Sequence, residues 1–240
     1  MNYTDDQMHF TKSSSSQDVV ARTFMSNVFS FMAIALAITG IVAYAFGTNE
    51  SLIRLLMGER GLSALGWIVM LAPFGLVLLM SAGFNRLSYG ALTLVFGLFS
   101  VLMGMSLGFI FLIYTATSVF TTFIVTGGMF GTMALVGYTT KTDLTKFGSL
   151  MMMALVGLII ASIANWFAHS STLQYIISFA GVIIFTGLTA YDVQKLKRIG
   201  EGSMYVGAAM NKLVILGALT LYMDFINLFL FLLRFLGNRK

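Results

Sequence analysis

Cysteine is absent from the 240-residue chain, which removes disulfides, thiolate nucleophiles and cysteine metal sites together. Histidine occurs only as His9 and His169, outside the apolar interior, so neither a histidine-bound zinc site nor a buried Ser–His nucleophile is available. Charged residues make up 10% of the chain, against about 25% in a domain whose surface faces water. That is too few to cover a globule. Every lysine is terminal or in a connector, which excludes a Schiff base to retinal, and no Gly-rich loop ending in Lys–Ser or Lys–Thr cradles a nucleotide. The inventory points away from an enzyme, and no resident cofactor is expected beyond a transient Ca²⁺.

What the chain has instead is apolar length. Hydrophobic residues reach 58%. A helix needs roughly 20 apolar residues to cross the bilayer core. Seven runs qualify, at 24–46, 62–84, 88–114, 119–138, 146–168, 173–195 and 213–236. The predicted fold is an all-α integral membrane protein, a seven-transmembrane-helix bundle over residues 24–238. A polar, Ser-rich tail (1–23) precedes it and a basic end (239–240) follows. The tail has no apolar core with a cleavage site, so the first run is expected to act as an uncleaved anchor. Pro73, the single proline, lies inside the second run, where a kink is expected.

The formal charge of +5 reflects membrane topology rather than nucleic acid. With the N-terminus cytoplasmic, Lys12, Arg22, Arg86, Lys141, Lys146, Lys195, Lys197, Arg198 and Lys212 fall inside. Arg54, Arg60, Arg234, Arg239 and Lys240 fall outside. The excess favours N-in, hence C-out for seven spans. The basic C-terminus strains this count, and a re-entrant last segment would relieve it. Gly90, Gly97 and Gly104 recur every seven residues, and Gly104–Gly108 and Gly127–Gly131 have small-xxx-small spacing, which predicts close helix packing.

Of the nine Asp and Glu, only Asp192 and Asp224 fall within apolar runs. A carboxylate at that depth costs several kcal/mol unless it is protonated, paired or hydrated, and so marks a functional site. Thr220, Asp224 and Asn227 share one face of the last helix by i, i+4, i+7 spacing, and Thr186, Thr189 and Asp192 form a similar stripe on the sixth. Two such stripes could line a hydrated path. If the carboxyls meet they can share a proton, and when both ionise they form a hard-oxygen metal site that suits Ca²⁺. The plainer readings are an Asp192–Lys195 surface pair, Asp224 as a hydrogen bond between helices, and Arg86 as a positive-inside anchor.

Residues 221–229 (Leu-Tyr-Met-Asp-Phe-Ile-Asn-Leu-Phe) with Leu232, Leu233 and Arg234 resemble the final-helix signature of the Bax inhibitor-1 family, also called the transmembrane Bax inhibitor motif family. Residues 187–194 (Gly-Leu-Thr-Ala-Tyr-Asp-Val-Gln) resemble its sixth-helix Tyr-Asp motif. The stretch from Thr126 through Phe130 and Tyr138 to Leu144 resembles its fourth helix and following connector. The bacterial YccA-like branch fits best. The resemblance implies a last helix placed centrally among the other six. It also implies a pH-sensitive cation path, described as a Ca²⁺ leak, with Asp192 and Asp224 as sensor and Arg86 as latch. Lipid bilayer, protons and Ca²⁺ or another cation are the implied partners, in a bacterial inner membrane. Two other functions remain open: modulation of a membrane-bound AAA protease through the N-terminal tail, and proton-coupled transport.

Overall fold

The computed structural model describes residues 3–58, 61–202 and 207–240, with side chains from Val19 onward, Ala208 excepted. Arg60, counted above on the outer side, lies outside the described residues.

Among the described residues, seven helices are long and apolar enough to cross a membrane: Val19–Thr48, Ala64–Ala82, Tyr89–Ile113, Ala116–Thr139, Thr145–Ala168, Ser171–Glu201 and Ala209–Leu236. They belong to α1 (Tyr3–Thr48), α3 (Ala64–Ala82), α4 with α5 (Tyr89–Leu107, Ile110–Ile113), α6 (Ala116–Thr139), α7 (Thr145–Ala168), α8 (Ser171–Glu201) and α9 (Ala208–Leu236). The short α2 (Glu50–Leu56) and an antiparallel pair of two-residue strands, β1 (Met57–Gly58) and β2 (Gly61–Leu62), fill the connector between α1 and α3. The segment expected as a tail, 1–23, is helical from Tyr3 and continues into α1. α3 runs as one helix through Pro73.

Chain punctuation is local and legible. Ser63, Ser88, Thr115 and Ser170 each cap a helix by accepting from a backbone N–H in its first turn. α7 ends on His169 in the left-handed region, φ 49°, with its N–H bonded to Asn165 O.

The last helix is the most deeply packed span, with 67% of its central window buried. It touches α1, α4, α6 and α8, whereas α3 packs on α4 and α7 on α8. The last helix is thus central, as expected, with its main contacts to these four, and α3 and α7 pack chiefly on α4 and α8. Aromatic pairs define the contacts: Tyr222 stands edge-on to Phe99 of α4 (5.2 Å between centroids), and Phe225 to Phe123 of α6 (5.2 Å). Large side chains such as Trp166, Phe167, Phe74 and Leu94 point outward, as lipid-facing residues do.

The glycine expectation is met at Gly104 and Gly108, where α4 crosses α1. A Cβ on Gly104 would stand 2.7 Å from Val42 Cβ and 2.8 Å from Thr39 O. Gly90, Gly97, Gly127 and Gly131 instead face open space. Spacing marks a face without saying whether a partner covers it.

α9 is unbroken, so there is no re-entrant last segment. Residues 238–240 instead dock on the segment joining α5 to α6. Thr115 N–H donates to Asn238 O, Lys240 N–H to Ile113 O, and the Lys240 ammonium to Phe111 O at 2.7 Å. The basic end thus finds a carbonyl for the Lys240 ammonium and the Tyr114 ring for Arg239. This places it at the opposite end of the bundle from the α6–α7 connector.

Candidate functional site: a carboxyl pair between the last two helices

Asp192 and Asp224 come from adjacent helices, close enough for their carboxyls to act on each other electrostatically. Asp224 is 6% exposed, and its Oδ2 has no hydrogen-bond partner among the described residues. Asp192 is half-buried, in front of it. The ion pairs among the described residues do not include Asp192 with Lys195, whose ammonium is 5.9 Å from the Tyr191 ring centroid. Asp224 Oδ2 likewise meets no donor from a neighbouring helix among the described residues.

Two glycines fix Asp192 in place. A Cβ on Gly137 of α6 would run into the backbone of Ala190, and one on Gly148 of α7 would run into the Tyr191 ring. The two residues before Asp192 are thus seated in notches on two neighbouring helices. Close approach of this kind substitutes for hydrophobic association in lipid.

The two polar stripes behave differently from expectation. Thr186, Thr189 and Thr220 each donate to a carbonyl one turn back on their own helix: Val182, Phe185 and Leu216. Their hydroxyls are therefore already engaged. Thr220 is exposed and Asn227 half-buried, while Asp224 between them turns inward to α8. α9 is buried on all sides but one, and the open side carries Leu216, Thr220, Met223 and Asn227. Arg86 sits in the exposed turn after α3 and is not brought to the pair. The same turn receives Lys212 instead, which donates to Phe84 O at 3.2 Å.

Two polar constellations escaped the sequence reading. In the first, Thr39 of α1 donates to Ser100 O of α4 (2.9 Å) and meets the Tyr222 hydroxyl at 2.7 Å, all buried, half a turn from Asp224. In the second, the end of α8 clamps the α6–α7 connector. Gln194 accepts from Leu144 N–H and donates to Thr142 O, both at 2.8 Å. Lys197 donates to Tyr138 O, and Arg198 pairs with Asp143 at 3.0 Å. The Thr145 hydroxyl and N–H, with Arg198, hold the Asp143 carboxyl down at about 2. The Tyr-Asp motif and the connector motif are thus in contact, although some 50 residues separate Leu144 from Gln194.

The family model for "Inhibitor of apoptosis-promoting Bax1" matches residues 21–240, taking in the carboxyl pair, both glycine notches and the connector clamp. The chain belongs to the Bax inhibitor-1 family. It is 46% identical to the inner membrane protein YbhL of Escherichia coli K12 over 220 residues, 91% of this chain and 93% of that one. An uncharacterised protein of Borreliella burgdorferi is 44% identical (92% and 94% covered), and one of Caulobacter vibrioides 42% (94% and 92%). This Bax inhibitor-1 protein is therefore a membrane protein, with its facing aspartates inside a helical bundle.

The pair offers hard oxygen ligands to a cation. Ca²⁺ takes six to eight oxygens, and among the described residues no third His, Asp or Glu joins these two. A cation here would keep much of its hydration, as suits passage rather than retention.

Proposed function

We propose that the protein is a pH-sensitive leak for cations, with Ca²⁺ as the preferred ion, gated by protonation of the Asp192–Asp224 pair. The observation that supports this reading is the buried Asp224 Oδ2, without a hydrogen-bond partner among the described residues, beside a second carboxyl on the neighbouring helix. Two facing carboxyls in a low-dielectric interior hold either a shared proton or a cation between them, because two bare negative charges there are too costly. Proton and cation thus compete for one place, which makes conduction depend on pH.

The open side of α9, with Thr220 and Asn227, is the natural flank of the path. Positive-inside counting and the YbhL likeness support a bacterial inner membrane with the N-terminus cytoplasmic. The test is Ca²⁺ entry into liposomes holding the purified protein, from about pH 5 to about pH 8. The reading predicts pH-dependent entry that Asp224→Asn abolishes. Entry no greater than in empty liposomes at every pH would contradict it.

A further inference from the structure

Away from the carboxyl pair, a cavity of about 800 Å³ lies between α1 and α6, with α9 as its back wall. Leu36, Ala43, Val119, Phe123, Ile226 and Phe229 line its depth, and its surface is almost wholly apolar. The flanking residues Ile41, Tyr44 and Phe120 are exposed. They lie along the sides of α1 and α6 rather than at a helix end, so the mouth opens sideways. It is continuous with the lipid-facing surface of the bundle, where water has no access.

The dimensions fit one kind of occupant. The α1 lining runs from Leu36 to Ala45, about 13 Å at 1.5 Å per residue. One leaflet of hydrocarbon is about 15 Å deep, half of the bilayer core. The slot begins near the middle of α1 and α9 and ends at the α5 end of the bundle, where Phe111 closes it. An apolar slot that is one leaflet long and open to lipid has the shape of an acyl chain.

Charge stands where a headgroup would be. The Lys240 ammonium donates to the carbonyl of Phe111, the closing residue, and the Arg239 guanidinium lies 6.0 Å from the Tyr114 ring centroid. Among the described residues neither is in an ion pair, while Glu50 on the same end is bonded to Arg54. Two cations above an apolar slot complement a phosphate above an acyl chain.

We propose that the slot between α1 and α6 binds one acyl chain of an anionic phospholipid, whose phosphate is held by Lys240 and Arg239. Because the back wall includes Ile226 and Phe229, an occupied slot braces the helix that carries Asp224.

Gly40 provides the test. It lines the slot, and a Cβ there would meet nothing within 4 Å, so Gly40→Leu projects into the slot without disturbing packed atoms. Wild-type protein, purified in mild detergent and offered equal dioleoyl phosphatidylglycerol and phosphatidylcholine, should retain phosphatidylglycerol in native mass spectra. Gly40→Leu should reduce retention at least about tenfold. Gly157→Leu, on an open position of α7, should leave it unchanged. The double variant Lys240→Gln/Arg239→Gln should still bind lipid but lose the preference for the anionic headgroup.

A second measurement does not depend on the folding of any variant. Phosphatidylglycerol with a diazirine in its acyl chain should label wild-type protein chiefly within residues 36–45, 116–123 and 226–229. Labelling spread evenly over the outward faces, or equal retention of the two lipids by wild type, overturns the proposal.

Discussion

The hydroxyls of Thr39 on α1 and Tyr222 on α9 stand 2.7 Å apart, buried, and Thr39 also donates to Ser100 O on α4. With its proton committed to Ser100, Thr39 accepts from Tyr222. One hydroxyl thereby ties three helices together, two residues from Asp224.

The two ends of this bond are not equivalent. Tyr222→Phe removes the donor and leaves Thr39 still bonded to Ser100 O, so it should cost about 0.5–1.5 kcal/mol. Thr39→Val strands a buried tyrosine hydroxyl and should cost about 1–3 kcal/mol. Chemical denaturation of the two variants in detergent checks the order. Equal or inverted costs would mean that the hydroxyl is not held as described.

A second asymmetry concerns the glycines that seat Asp192. The Cβ of Gly137→Ala meets the backbone of Ala190, which has nowhere to go, whereas that of Gly148→Ala meets the Tyr191 ring, which can turn aside. Gly137→Ala should therefore be the worse, at about 1–3 kcal/mol of overpacking. It should also alter ion entry more than Gly148→Ala does, because it moves the backbone that carries Asp192. Thermal unfolding and liposome flux of both variants decide the matter.

Asp143 separates clamp from sensor. Its carboxyl is held at about 2 against an ordinary value of 3.8, first by the Thr145 hydroxyl, then by the Thr145 N–H and Arg198. A depressed carboxyl stabilises the fold fully above its unfolded value and loses that contribution as pH falls from near 3.8 through about 2. So held, the Asp143 carboxyl stays ionised at neutral and mildly acidic pH. Asp143→Asn should therefore leave the midpoint of any pH-dependent flux where it is, as a pH series on the variant would show. A displaced midpoint would move the sensor to the connector.

Gln194 makes the clamp's two buried bonds with one amide. Gln194→Glu keeps the acceptor for Leu144 N–H and loses the donor to Thr142 O, while Gln194→Ala loses both. Amide exchange at Leu144 should rise clearly in Gln194→Ala and little in Gln194→Glu.

The seven spans were legible because each is a long, predominantly apolar run, and bilayer thickness sets its length. Expected 62–84 and 88–114 became Ala64–Ala82 and Tyr89–Ile113. The sixth span overshot its run, continuing to Glu201, because Gln194, Lys197 and Arg198 find partners on the connector rather than in water. Hydropathy cannot see such partners. The carboxyl pair was legible for the opposite reason: acids are so costly in an apolar run that two of them invite the question of a common site. Thr39 gave no warning, since a lone threonine in a helix usually bonds its own backbone, and its partner lies 183 residues away. Thr186, Thr189 and Thr220 do bond their own backbone, one turn back.

The central claim is that Asp192 and Asp224 act as one unit, and a double-mutant cycle on Ca²⁺ entry into liposomes tests it most directly. Asp192→Asn, Asp224→Asn and the double variant should each abolish the pH dependence, with the double no worse than the more severe single, because either change breaks the same proton-sharing pair. Effects that simply multiply, or a pH dependence that survives in the double variant, would show that the two carboxyls do not gate the path together.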